Sequence, residues 1–142
     1  MQQGNMGRAI LAGVLGTLAM SVIGLFAAPM MGLPAMNPAE MLAGRMGGIL
    51  MLGWAGHFMI GIVLAVIYAK VMFRYLPGPP VVRGAIFSLL PWLVAQVMVM
   101  PMMGMPVFSG SAGLAGGSLI GHLIYGAVVG AVIGGTVDQK QT

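Results

Sequence analysis

Histidine occurs at only two positions in this chain, His57 and His122, and both lie within long apolar stretches. Each histidine directly follows one glycine, and a second glycine follows the histidine four residues later. The glycines are Gly56, Gly61, Gly121 and Gly126. An ionisable side chain inside a membrane span is costly and marks a functional site by default. Two histidines at matching positions therefore predict one paired site, which could ligate haem iron or another metal, or form hydrogen bonds.

The composition indicates which class of protein must position these side chains. Of the 142 residues, 59% are hydrophobic and 6% are charged, and the mean hydropathy is +1.02. Soluble domains carry about a quarter charged residues, so we predict an integral membrane protein. The six basic residues are scattered, which argues against nucleic acid as a partner. The absence of cysteine excludes disulfides, iron–sulfur clusters and cysteine-ligated zinc.

Stretches long enough to cross a bilayer, which needs about 20 apolar residues per helix, occur four times. The predicted spans are residues 9–28, 48–69, 84–103 and 113–135. All but one of the basic residues flank the side that holds both termini and the central connection. They are Arg8, Lys70, Arg74, Arg83 and Lys140, whereas Arg45 lies on the other side. The positive-inside rule therefore predicts a multi-pass membrane protein with both termini in the cytoplasm. The apolar run of the first span is too long for a signal peptide, so we expect this span to be retained.

The second half of the chain repeats the first in outline. Residues 29–34 (PMMGLP) return with one change as residues 101–106, and we interpret this string as a helix stop. Because each repeat holds two spans, the predicted all-α fold is a four-transmembrane-helix bundle of two repeats in the same orientation. The first repeat also contains a short outer helix near residues 38–45. The predicted segments are the first repeat at 1–76, a cytoplasmic Pro/Gly turn at 77–82 and the second repeat at 83–142.

Polar residues of the first and third spans fall near the predicted depth of the histidines. Ser21 and Gln96 each stand on a helix face with other polar groups at four-residue intervals. We therefore predict a cluster of Ser21, His57, Gln96 and His122 inside an otherwise apolar bundle. The alternative interpretation is that the glycine rows only let helices approach closely, and that the histidines fix helix register through hydrogen bonds.

Three apolar strings with an associated Trp-Leu pair carry a resemblance to a known family. They are GWAGHFMIG at residues 53–61, MPMMG at 100–104 and GHLIYGAVVG at 121–130. The chain resembles an uncharacterised family of small bacterial four-helix membrane proteins, classed as a domain of unknown function, over nearly its whole length. The resemblance implies the four-span fold and a bacterial membrane, and it implies no activity.

Three functions are compatible with these residues. In the first, His57 and His122 are the axial ligands of a b-type haem, the four glycines leave room for the macrocycle, and Arg45 pairs with a propionate. In the second, the chain is a cofactor-free structural subunit of a respiratory or photosynthetic complex. In the third, methionines join the histidines in binding copper. These methionines are Met30, Met31, Met102 and Met103.

Of these, we favour a non-enzymatic accessory or electron-transfer component of a bacterial membrane complex, with haem as the leading cofactor. The sequence contains no nucleophile–base–acid set, phosphate-binding loop or carboxylate pair, which argues against an enzyme. The expected partners are the lipid bilayer and either a larger membrane complex or further copies of the chain.

Overall fold

The computed structural model of the protein describes residues 3–134. Within this range the fold is all-helical, and four helices are long and apolar enough to cross a membrane. We number these helices as spans 1 to 4: Met6–Met30, Leu50–Met72, Pro80–Met102 and Ala112–Gly134. The predicted four-span fold is confirmed. The predicted last residue of span 4, residue 135, and the topology marker Lys140 lie outside the described residues.

Three of the four spans contain a five-residue π-helical segment. In spans 1 and 3 this segment lies just before Pro29 and Pro101, which have no N–H to donate to the preceding turn. Both copies of the repeated string therefore follow the same local distortion. The helix of span 1 consists of Gln3–Val22, Ile23–Ala27 (π) and Ala28–Met30, and that of span 2 of Leu50–Ile67 and Tyr68–Met72 (π). Span 3 consists of Pro80–Val94, Ala95–Val99 (π) and Met100–Met102, and span 4 is the single helix Ala112–Gly134.

The repeated Pro-Met-Met-Gly string ends its helix in the same way in both copies. Gly32 has a φ of 78° and Gly104 a φ of 81°, a conformation that glycine adopts without a Cβ penalty. In the first copy the Leu33 N–H donates to the Ala28 carbonyl at 3.0 Å, and the second copy forms the equivalent bond at 3.0 Å. This pattern is the Schellman motif. The predicted helix stop is confirmed.

Two short helices lie in the connections on one side of the bundle. The outer helix predicted in the first repeat is Pro38–Ala43, and the Asn37 side chain caps it by accepting from the backbone N–H of Ala39 at 3.1 Å. The connection before span 4 contains the 3₁₀ helix Val107–Gly110. We call the side that holds residues 31–49 and 103–111 the loop side, and the opposite side, with residues 73–79, the turn side.

Spans 1 and 4 pack against each other at the centre of the bundle, with span 2 on span 1 and span 3 on span 4. Spans 2 and 3 meet near the turn side, where the rings of Tyr68 and Phe87 are 5.1 Å apart. The helix order across the bundle is therefore 2, 1, 4, 3. The relation of the two repeats by an axis along the membrane normal stays a prediction.

Glycines bring the backbones of spans 3 and 4 into direct contact. A Cβ added at Gly84 would lie 2.8 Å from the Cα of Gly130, and one added at Gly126 would lie 2.7 Å from the Cβ of Ser88. Distances this short leave no room for any side chain larger than hydrogen. The interpretation of this glycine row as a helix-packing surface is confirmed.

Arginines at the ends of the bundle bond to backbone carbonyls. On the turn side, Arg8 donates from Nε to the Val132 carbonyl at 2.5 Å and thereby joins span 1 to the end of span 4. Arg83 donates from Nε to the Gly78 carbonyl at 2.6 Å within the central turn. A cation near the C-terminal carbonyls of a helix satisfies acceptors that the helix itself leaves open.

Candidate functional site

His57 of span 2 is held by a serine of span 1. The Ser21 hydroxyl donates to the Thr17 carbonyl at 2.7 Å, so its only proton is already engaged. The 3.1 Å contact between Ser21 Oγ and His57 Nε2 is therefore a bond that His57 donates. A neutral imidazole carries one proton, so this arrangement leaves the lone pair of His57 on Nδ1.

His122 of span 4 is held by its own helix. Its Nδ1 lies 2.8 Å from the Ser118 carbonyl, which can only accept, so His122 carries its proton on Nδ1 and its lone pair on Nε2. The two histidines are thus opposite tautomers. Neither lone-pair nitrogen is hydrogen-bonded to any residue within 3–134.

A direct hydrogen bond between spans 4 and 2 sets the level of the two histidines. The Tyr125 hydroxyl donates to the Gly61 carbonyl at 2.5 Å. His57 precedes Gly61 by four residues and His122 precedes Tyr125 by three, so both lie about one helical turn from this bond toward the loop side. Both imidazoles are half-buried. The geometry therefore brings the two histidines to one level.

Gln96 lies nearer the loop side than the histidine pair and belongs to a second hydrogen-bonded group. Its buried side chain donates to Ser118 Oγ at 3.2 Å and accepts from Ser109 Oγ at 3.1 Å. It reaches His122 only through Ser118. The predicted four-residue cluster is therefore divided, with Ser21 and His57 in one group and Gln96 and His122 in the other.

The serine that bonds Gln96 is placed by an unusual backbone. Phe108 and Ser109 have φ values of 52° and 58°, in the left-handed region that non-glycine residues seldom adopt. The Phe108 ring packs 5.9 Å from that of Trp92, and Ser109 is thereby turned toward Gln96. Sequence reasoning missed Ser109 and Ser118, although Ser118 stands one turn from His122 on the same helix face.

The four glycines beside the histidines are closed in by neighbouring residues. Gly61 touches the side chain of Thr17, and Gly126 touches the backbone of Gly84. A Cβ added at Gly56 or Gly121 would meet side-chain atoms at 3.7 and 3.8 Å, which are ordinary contact distances. The room that the sequence led us to expect for a macrocycle is therefore filled at Gly61 and Gly126, because helix packing uses the same small residues.

Arg45 lies at the exposed surface of the loop side. It donates from a guanidinium nitrogen to the Met102 carbonyl at 2.5 Å, at the end of span 3. Arg45 thus joins the first loop to the second repeat and is already engaged with a backbone acceptor. It is not among the residues that contact either imidazole.

Metal-ligand types are sparse in the described part of the chain. Residues 3–134 contain no group of three or more His, Cys, Asp or Glu side chains that could hold a metal ion. Glu40 is exposed on the helix Pro38–Ala43, and the other acid, Asp138, lies outside the described residues. Any metal site must therefore rest on the two imidazoles, with methionine as the remaining soft donor.

Comparison with known proteins identifies a family. A model of DUF6789, a family of unknown function, matches residues 3–142. No curated protein matches the chain, and no solved structure matches it. The resemblance to an uncharacterised family is confirmed, and the function has to be argued from the site.

Proposed function

The chain belongs to DUF6789, a family of unknown function, and we propose from its site that it is a non-enzymatic membrane protein that binds one Cu(I) ion between His57 and His122. The observation that carries this proposal is the pair of free ring nitrogens, Nδ1 of His57 and Nε2 of His122, at one level of the bundle. In each ring the other nitrogen is fixed by a hydrogen bond. A hydrogen bond from the non-ligating ring nitrogen orients a ligating imidazole and sets its tautomer.

The surroundings favour the neutral imidazoles that metals require. Glu40, the only acid within residues 3–134, is exposed on the outer helix, and the Tyr125 hydroxyl is engaged with the Gly61 carbonyl. A metal binds the deprotonated ring nitrogen, so an apolar site that keeps histidine uncharged is ready for ligation.

Ion charge and ligand number favour Cu(I) over other metals. Structural Zn²⁺ takes four ligands, whereas this level of the bundle offers two imidazoles. A monovalent ion also costs less to move into an apolar interior than a divalent one, because the desolvation energy rises with the square of the charge. Imidazole and thioether ligands both suit Cu(I).

A b-type haem is the second candidate, and one observation favours it. His122 donates from Nδ1 to the Ser118 carbonyl and leaves Nε2 free, which is the arrangement common among ligating histidines. For haem to bind, however, His57 would have to release Ser21 from its Nε2 and the helices would have to separate at Gly61 and Gly126. A single ion requires neither change.

The test is anaerobic titration of the purified protein in mild detergent with Cu(I), in competition with a chromophoric Cu(I) chelator. We expect both His57→Gln and His122→Gln to bind one equivalent of Cu(I) fewer than the wild type. Arg45→Gln, a control outside the site, should bind as much Cu(I) as the wild type. Binding should weaken as the pH falls, because protons compete for the same two lone pairs.

The same preparation distinguishes the candidates. A Soret band in the wild type that is lost in each histidine variant would identify haem, rather than Cu(I), as the bound group. If the His57→Gln and His122→Gln proteins bind as much Cu(I) as the wild type, the histidine site is refuted. Histidine ¹⁵N spectra recorded without metal should show one ring protonated on Nε2 and the other on Nδ1.

A further inference from the structure

Methionine is distributed unevenly between the two sides of the bundle. Eleven of the sixteen methionines fall within residues 30–51 and 98–105, which form the loop-side ends of the spans and their connections. Methionine that merely fills gaps or faces lipid has no reason to prefer one side. The asymmetry therefore indicates that methionine has a function on the loop side.

The outermost of these methionines lie at the surface of the protein. The side chains of Met30, Met31 and Met102 are 88%, 54% and 71% exposed. They stand at the two helix stops, where the repeated Pro-Met-Met-Gly string places a pair of thioethers at the end of span 1 and another at the end of span 3. The bond from Arg45 to the Met102 carbonyl joins the two methionine-containing connections.

Two further methionines lie between this surface and the histidines. Met36 is anchored by its N–H, which donates to the Gly24 carbonyl at 3.0 Å, and its Sδ would lie 3.8 Å from a Cβ at Gly117. Met20 lies one turn closer to the site, with its Cε 3.8 Å from the Cβ position of Gly121, the residue before His122. Met36 and Met20 thus lie against span 4 at two positions one helical turn apart, Gly117 and Gly121.

We propose that the loop-side methionines collect Cu(I) and pass it by way of Met36 and Met20 to the histidine pair. This inference rests on the proposed function, because the pair is its end point. Each transfer is a ligand exchange in which one sulfur–copper bond breaks as the next bond to sulfur or nitrogen forms. Copper stays Cu(I) throughout, and no proton or electron is transferred. Soft thioethers bind Cu(I) and leave the harder ions in solution.

The test compares Cu(I) uptake by two methionine variants of the full chain in lipid nanodiscs. In the first, Met30, Met31, Met102 and Met103 are all replaced by leucine. The matched control replaces Met59 and Met72, which lie outside residues 30–51 and 98–105, by leucine. Uptake is followed by stopped-flow loss of the coloured complex between Cu(I) and bathocuproine disulfonate, after circular dichroism has shown that both variants are folded.

We expect the loop-side variant to keep the histidine-dependent equivalent, to lose the additional equivalents and to load at least tenfold more slowly. The control should load within twofold of the wild type. Equal loading rates in the wild type and the loop-side variant would refute the proposal that these methionines collect Cu(I). That result would not contradict Cu(I) binding by the histidine pair. Absence of any histidine-dependent equivalent in the wild type would instead refute the proposed function.

Discussion

Replacing Gly126 with alanine tests the direct backbone contact between spans 3 and 4. The added methyl would overlap the carbonyl oxygen of Gly84 and would lie 2.7 Å from the Cβ of Ser88. Ordinary contact begins at about 3.4 Å, so the two helices would have to move apart by more than about 0.7 Å. None of these neighbours is the free end of a flexible side chain. Overpacking costs about 1–3 kcal/mol, and we expect Gly126→Ala to fall at the upper end, near 3 kcal/mol.

Gly116→Ala is the matched control, since Gly116 lies in the same helix and a Cβ there would meet nothing within 4 Å. Alanine is the better helix former by about 1 kcal/mol, so this change should leave the protein unaltered or slightly more stable. The free energy of unfolding is measured for both variants by titrating mixed micelles with sodium dodecyl sulfate. Equal stability of the two variants would show that the close approach of spans 3 and 4 is not as described.

Two further predictions concern a helix stop and the topology. Gly32→Ala should lower the free energy of unfolding by about 1 kcal/mol because φ at this position is 78°, whereas Gly44→Ala, at a φ of −57°, should not; equal effects would refute the strain argument. Reporter fusions near Pro79 should report the cytoplasm and fusions at Gly44 the exterior, since the basic residues cluster on the turn side; a cytoplasmic signal at Gly44 would reverse the orientation.

The sequence was sufficient for the parts of the fold that depend on local patterns. Hydropathy located the four spans, and the Asn37-Pro38 pair located the outer helix, because bilayer thickness and helix capping act on neighbouring residues. The helix stop at Gly32 was predictable for the same reason. The bundle order 2, 1, 4, 3 depends on which glycine faces which neighbour, and hydropathy carries no such information.

Spacing along the spans predicted His57, His122 and Ser21 at one level, and in the structure Ser21 and His57 are joined by a hydrogen bond. That His57 and His122 form one functional site stays a prediction. Gln96 instead bonds Ser109, whose left-handed backbone no glycine or asparagine at that position signalled. Spacing also could not reveal whether the glycines would leave a slot or be filled by a neighbouring helix, because both outcomes use the same small residues.

Three arginines, Arg8, Arg45 and Arg83, direct their guanidinium groups at peptide carbonyls. Each of these bonds pairs a charge with a dipole, an interaction that dissolved ions screen little at hydrogen-bond distance. The cohesion of the bundle ends should therefore be nearly the same in dilute and in saline surroundings. Lysine could not replace these arginines without loss, because its ammonium lacks the planar fork that aims a donor at a chosen carbonyl.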